Sequence, residues 1–181
     1  MSQSKTNRGA SFPLLKASGI ADIPETVNVH QFNDKAIRHS KSLGDATGLS
    51  NIGIHLVRLQ KGCESTQFHR HQCDEEFLYI LSGSGIAEIG DNEYPVEAGD
   101  FMGFSQDSPA HNMRNPNDED LVYLMGGDRN DFDICDYPRI KRRMFRVNGV
   151  KTYVDLKDLH DVAPGNEATS IRKKPIEKND P

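Results

Sequence analysis

The densest group of residues able to do chemistry lies between residues 62 and 83, where histidines, carboxylates and cysteines occur close together. Side chains two positions apart point to the same side of a β-strand, so His69 and His71 can present both imidazoles to one point. Glu76 begins the next apolar run, from which its carboxylate could return to that point. His111 begins a later apolar run and could lie opposite the first two histidines in a rolled β-fold. The four side chains form a candidate site for one divalent transition metal.

Three neutral imidazoles and one carboxylate are a mixed nitrogen and oxygen donor set. Such a set suits Fe(II), Mn(II), Ni(II) or Zn(II) without selecting one of them. Four protein ligands in an octahedron leave two positions open, where a bound ion could polarise a carbonyl or lower the pKa of a water. Oxygenation, isomerisation and elimination of a small oxygen-rich molecule therefore all stay open. A sensor module that binds a small anion or sugar without catalysis is the alternative, and a purely structural dimer is a third option.

Several residues near the quartet offer alternatives. Glu75 could replace Glu76 if the loop before it closes one residue earlier. The site could also be vestigial, although burying three imidazoles and a carboxylate without a cation leaves several polar groups to satisfy. We expect the polar turn at residues 72–75 to move Cys73 away from the ligand face, so that it lies as a free thiol near the mouth of the site. No second catalytic group is evident, since Tyr79, Glu88 and Tyr123 are candidates only by strand position.

The remaining histidines have no ligand-type neighbours in the sequence. We expect them to be surface or core residues and not ligands, with His55 the next candidate should His111 fail. These residues are His30, His39, His55 and His160.

The quartet and its flanking glycines resemble the two sequence motifs of the cupin superfamily. His69, His71, Glu76 and Gly83 match the first motif. The second is matched by Gly99, Asp100, His111 and Asn115, with one departure, because the proline usual after Gly-Asp is replaced near Ser105.

Further segments, 43–49, 77–83, 103–104 and 136–138, are similar to small single-domain bacterial cupins, so the resemblance covers roughly residues 40–140. It implies a double-stranded β-helix, or jelly-roll barrel, with the quartet as metal ligands. Most members of that group have no assigned reaction, so it implies no substrate.

The elements that must position these residues are short apolar runs separated by turn residues. This close spacing is typical of an all-β sandwich or barrel. We expect a hairpin turn at Gly83-Ser84-Gly85 and a type I′ hairpin at Asn148-Gly149. We also expect Ile80 to face the core and the stretch after Gly126-Gly127 to be irregular. The predicted strands centre on residues 52–59, 77–81, 86–89, 94–96, 101–104, 111–114, 121–125, 145–147 and 150–154.

These patterns divide the chain into four parts. Residues 1–40 are predicted to be an N-terminal arm and 41–140 the cupin barrel. A C-terminal hairpin with a short helix follows at 141–162, and 163–181 is predicted to be a disordered tail. The exposed sheet edges of such a barrel, with an extra strand between residues 26 and 60, predict a homodimer.

Composition excludes several function classes. Residues 64–136 hold 17 acidic and only 3 basic side chains, a field that repels nucleic acid. Apolar runs are far shorter than the roughly 20 residues of a membrane span, and no signal-peptide pattern opens the chain, so we expect a cytoplasmic protein. The odd count of 3 cysteines predicts reduced thiols.

Overall fold

The structure is a computed structural model that describes residues 12–106 and 108–160. The predicted tail at 163–181, the first residues of the predicted arm and the last two of the C-terminal segment lie outside the described residues. No helix in the described part of the chain is long and apolar enough to cross a bilayer.

Thirteen strands and two short α-helices make up the described chain. Three-residue 3-10 turns follow at Pro138–Ile140 and Leu156–Asp158. The helices are α1 (Ala17–Asp22) and α2 (Leu43–Thr47). The strands are β1 (Thr26–His30), β2 (Asn33–Ser42), β3 (Ile52–Leu59), β4 (Arg70–His71), β5 (Glu76–Ser82), β6 (Ser84–Ile89), β7 (Asn92–Glu97), β8 (Phe101–Phe104), β9 (His111–Arg114), β10 (Leu121–Asp128), β11 (Phe132–Tyr137), β12 (Arg142–Val147) and β13 (Val150–Asp155).

The strands form three antiparallel sheets. Their orders are β1-β2-β3-β10-β5-β8, β7-β6-β9 and β13-β12-β11-β4. The predicted all-β, double-stranded β-helix fold is thereby confirmed. The extra strand expected between residues 26 and 60 was given no bounds; β2 lies in that range, pairs with β3 and extends the largest sheet.

The apolar core lies where the six-stranded and three-stranded sheets face each other. On β5, Leu78 and Ile80 are buried while Tyr79 is exposed, which confirms the predicted inward position of Ile80. Ala87 of β6 and Met113 of β9 belong to the same core cluster. Strand alternation thus places one face of each strand in a common apolar interior.

The sequence predicted hairpin turns at two glycine-containing sites. Asn148 and Gly149 have φ values of 50° and 80° between paired Val147 and Val150, which confirms the tight hairpin. The hairpin predicted at Gly83 is wrong, because β5 and β6 belong to different sheets. Gly83 instead makes a corner with φ of 77°, and a Cβ there would lie 2.4 Å from the Asp120 carbonyl oxygen.

The segment after Gly127 is also more regular than predicted. Residues 132–137 form β11, which pairs with β12 and with β4. The sequence of β11 lacks the usual alternation of apolar and polar residues, because buried positions are occupied by acids such as Asp133 and Asp136. These acids contact polar partners instead of an apolar core. The pairing sets Cys135 opposite His71.

Candidate metal centre

His69 and His111 are held side by side by the backbone. The His69 N–H donates to the His111 carbonyl over 3.1 Å, and the His111 N–H donates back over 2.7 Å. This bridge joins the segment before β4 to the start of β9. The two ring centroids lie 4.6 Å apart. His111 therefore lies opposite the first histidine pair, as the sequence predicted.

Glu76 opens β5 and points its carboxylate at all three imidazoles. Its Oε2 lies 3.6 Å from the Nε2 of His69, 3.6 Å from that of His111 and 3.9 Å from that of His71. The structure thus brings together the four residues that the spacing had singled out.

The outward-facing nitrogen of each imidazole already has an acceptor. His69 Nδ1 lies 3.1 Å from the Gln67 carbonyl, His111 Nδ1 lies 3.4 Å from the Pro109 carbonyl, and His71 Nδ1 lies 2.6 Å from Asp133. Carbonyl oxygens only accept, so the ring protons of His69 and His111 sit on Nδ1 and their Nε2 lone pairs face Glu76. Metal-binding histidines are oriented by outer partners in this way.

This donor set fits a divalent cation. The Nε2 of His111 is fully buried and has no hydrogen-bond partner among the described residues. A buried acceptor without a hydrogen bond destabilises the fold, and imidazole lone pairs that face a carboxylate repel it. A cation bound between the imidazoles and Glu76 would remove both unfavourable effects. The ligand atoms of His69, Glu76 and His111 lie within 4.8 Å of one another, close enough to share one ion.

The surroundings of His69 and His71 shift the pKa values of these two imidazoles in opposite directions. Burial lowers the pKa of His69 to about 4, so this imidazole is neutral. Burial also opposes protonation of His71, yet the Asp133 carboxylate raises its pKa overall. That carboxylate makes His71 a more basic ligand.

The residues that the sequence left open as alternative metal ligands lie away from the quartet. Glu75 is exposed, and its backbone N–H donates to Asp128. His39 lies 3.4 Å from Glu25, and His55 is half-buried beside another pocket. Within residues 12–106 and 108–160, none of the four histidines expected not to bind metal belongs to a cluster of ligand atoms.

Comparisons with known proteins agree with the fold. A family model described as "Cupin domain" matches residues 55–127. The crystal structure of a putative sugar phosphate isomerase from Acidithiobacillus ferrooxidans is 42% identical, covers 82% of this chain and 96% of its own, and superposes with a TM-score of 0.81. The chain belongs to the cupin superfamily.

Two further relatives bear on this cupin. A sugar phosphate isomerase of the cupin superfamily from Silicibacter pomeroyi is 26% identical, with 83% of this chain and 98% of that one covered and a TM-score of 0.71. An oxalate-binding protein from Thermotoga maritima is 32% identical over 60 residues. That match covers 33% of this chain and 49% of the relative's length.

Strand β11 supplies three residues near the centre that sequence reasoning missed. Asp133 is fully buried and hydrogen-bonded to His71. Cys135 Sγ lies within 4.8 Å of ligand atoms of His69 and His71, and burial raises the pKa of this thiol to about 12, so it stays neutral. Tyr137 follows two positions later and also lines the cavity. These three residues lie two positions apart in the sequence, and this spacing was the signal that could have predicted a shared strand face.

The cysteine prediction holds. Cys63, Cys73 and Cys135 are all free thiols. Cys73 is half-buried, and its N–H points to Asp133.

The centre opens into a cavity of about 520 Å³, a size usual for a small-molecule site. Its walls combine apolar side chains such as Leu78 and Met102 with polar ones. Tyr123 is fully buried in this wall, and its hydroxyl has no hydrogen-bond partner among the described residues. The sequence had named Tyr123 only by strand position. A ligand oxygen in the cavity would satisfy it.

Proposed function

We propose that this cupin is a divalent-metal-dependent enzyme acting on a small oxygen-rich molecule, with His69, His71, Glu76 and His111 as the ligands. The observation that carries the proposal is the convergence of three Nε2 atoms on Glu76 Oε2 at 3.6–3.9 Å. The metal is Fe, Mn, Ni or Zn.

Among the candidate reactions we favour isomerisation of a sugar phosphate. Two relatives that cover most of this chain carry that name, one of them at 42% identity. Aldose-ketose isomerisation moves hydrogen between adjacent carbons and oxygens, so it needs no external oxidant or reductant. A divalent ion bound by the quartet would supply Lewis-acid polarisation of a carbonyl oxygen.

Tyr123 has a defined part in this proposal. Burial raises the pKa of its hydroxyl, so the group keeps its proton at neutral pH and donates to a substrate oxygen. This contact would position the substrate in the cavity. The neutral thiol of Cys135 completes the wall beside His69 and His71 without adding charge.

Turnover of a defined panel tests the reaction class. The full-length chain, loaded in turn with Fe, Mn, Ni and Zn, is offered pentose and hexose phosphates, and ketose formation is measured. We expect turnover with at least one metal, near-complete loss in His69→Ala, and retention in His39→Ala, which removes a histidine outside the cavity. Absence of turnover across the panel, or equal rates in both variants, would reject the isomerase assignment.

Binding without catalysis is the second candidate. The oxalate-binding relative from Thermotoga maritima supports it, although the match spans only 60 residues. Calorimetric titration of the metal-loaded protein with oxalate distinguishes the two functions. Oxalate binding that depends on His111, together with no turnover of any sugar phosphate, favours the binding protein.

We further propose a cytoplasmic homodimer, with the chain divided as the sequence predicts. Strands β1 and β8 are the edges of the largest sheet, and β1 exposes Val27 and Val29. Edge strands are favourable surfaces for association. Sedimentation of the full-length chain at micromolar concentration checks this, and a monomer would contradict it.

A further inference from the structure

Arg38 reaches into the cavity from strand β2. Ala36 and Arg38 lie two positions apart on this strand and both line the cavity. The Arg38 Nη1 approaches the Met125 sulfur of β10 at 3.4 Å, and Met125 is itself a wall residue. The Arg38 side chain therefore lines the cavity, and the residue is half-buried.

The charge of Arg38 is uncompensated in the described part of the chain. Every other arginine within residues 12–106 and 108–160 forms an ion pair with a carboxylate. Arg146, a second cavity arginine, lies 2.5 Å from Asp74. Among the described residues, the Arg38 guanidinium makes a hydrogen-bond contact only with the Met125 sulfur, although a guanidinium offers five hydrogen-bond donors.

Two further donors accompany Arg38. Lys151, exposed on β13, lines the same cavity and has no ion pair among the described residues. His30 also lines it, and its Nδ1 accepts from the Phe32 N–H, so the neutral ring directs an N–H donor from Nε2. Burial lowers the pKa of His30, and the charges of Arg38 and Lys151, which line the same cavity, lower it further.

Tyr123 is an independent indication of a ligand. Its hydroxyl is fully buried and lacks a partner among the described residues. Tyr123 lines the same cavity as Arg38 and the metal ligand Glu76. A molecule that filled the space from Glu76 to Arg38 could accept a hydrogen bond from the Tyr123 hydroxyl, which has no partner among the described residues.

We propose that Arg38, assisted by Lys151 at the rim, binds the anionic end of the substrate. This deepens the proposed function, since it assigns an anion-binding residue to the same cavity. The guanidinium suits a phosphate or carboxylate, because both offer two oxygens to its parallel N–H groups. Arg38 is thus the residue that selects charged over uncharged substrates.

Calorimetric titration with inorganic phosphate tests the assignment. Wild type, Arg38→Gln, Arg38→Lys and Arg139→Gln are compared as full-length, metal-loaded proteins and again after chelator treatment, with circular dichroism confirming the fold. Arg139→Gln is the matched control, since it removes the same charge outside the cavity. We expect about tenfold or greater weakening in Arg38→Gln, partial recovery in Arg38→Lys and no change in the control. Equal phosphate affinity in Arg38→Gln and wild type would overturn the proposal.

Methyl phosphate and acetate separate the two anion sources. Binding that depends on Arg38 for methyl phosphate alone identifies a phosphate group, and for acetate alone a carboxylate. Binding of neither, or of both without dependence on Arg38, contradicts the proposal.

The chelator arm separates this inference from the proposed function. Phosphate held directly by a metal is lost on chelation, whereas phosphate held by Arg38 remains. Arg38-dependent binding in a protein that takes up no metal would refute the metal enzyme and leave the anion site standing. Normal metal uptake together with phosphate binding that does not depend on Arg38 would refute the anion site and leave the metal enzyme standing.

Discussion

The barrel has two halves that are built differently. The apolar half, between the six-stranded and three-stranded sheets, buries Val57, Leu59, Ile80 and Leu121 with no exposed surface. The polar half, beside the four-stranded sheet, buries acids that pair with specific polar partners, such as Asp133 with His71 and Asp136 with Arg143. Burial of apolar area stabilises the first, whereas the second depends on pairing of individual groups. Stability and chemistry should therefore be separable by substitution.

The largest effect is expected in the apolar half. Ile80→Asp places an unpaired carboxylate at a position with 0% exposure, which should cost several kcal/mol and unfold the domain. Leu81→Asp, one residue along the same strand at 42% exposure, is the matched control and should fold. Thermal melts followed by circular dichroism check both. Equal melting temperatures for the two variants would contradict the assignment of the core face.

A smaller effect is expected at the partner of a metal-binding imidazole. Asp133→Asn weakens the 2.6 Å contact to His71 Nδ1, so metal affinity should fall by about tenfold to a hundredfold while the protein still folds. Competition with a chromophoric chelator measures this. Asp131→Asn, an exposed neighbour, should leave affinity unchanged. Unchanged affinity in Asp133→Asn would show that His71 needs no such support.

The polar half also predicts a pH dependence of stability. Burial favours the neutral acid at Asp136, but hydrogen bonds from Arg143 and Gln72 lower its pKa below the usual 3.8. The ionised group therefore stabilises the fold above about pH 4, and this stabilisation is lost as pH falls through the lowered pKa. Asp136→Asn should cost about 1–3 kcal/mol at pH 7 and converge with wild type under acid conditions. Denaturant titrations at several pH values test this, and a constant difference across pH would refute it.

The smallest expected effect on stability is at the cavity wall. Tyr123→Phe removes a buried hydroxyl that has no partner among the described residues, so the melting temperature should stay equal or rise slightly. Turnover or ligand affinity should fall in the same variant. Tyr94→Phe, on an exposed tyrosine, is the control. A clear loss of stability in Tyr123→Phe would mean that the hydroxyl has a structural partner.

The two halves also differ in how far sequence could predict them. Alternation within β5 was enough to place Ile80, and motif spacing was enough to single out the quartet, because both signals are local. Asp133 and Cys135 meet His71 only through the pairing of β11 with β4, across more than 60 residues of chain. The bounds of β2 could not be predicted because its inward face carries Ala36 and Arg38 toward a cavity instead of a run of apolar residues toward a core. Strand pairing between distant segments, and the lining of a cavity, leave no pattern among neighbouring residues of the sequence.

Metal content and melting temperature of wild type and His111→Ala, measured together, test the central claim most directly. The full-length protein is purified without chelators and offered Fe, Mn, Ni and Zn in turn. We predict about one equivalent in wild type and affinity lower by orders of magnitude in His111→Ala, with the fold retained. Wild-type protein holding less than about a tenth of an equivalent of every metal, or His111→Ala binding metal as well as wild type, would contradict the account.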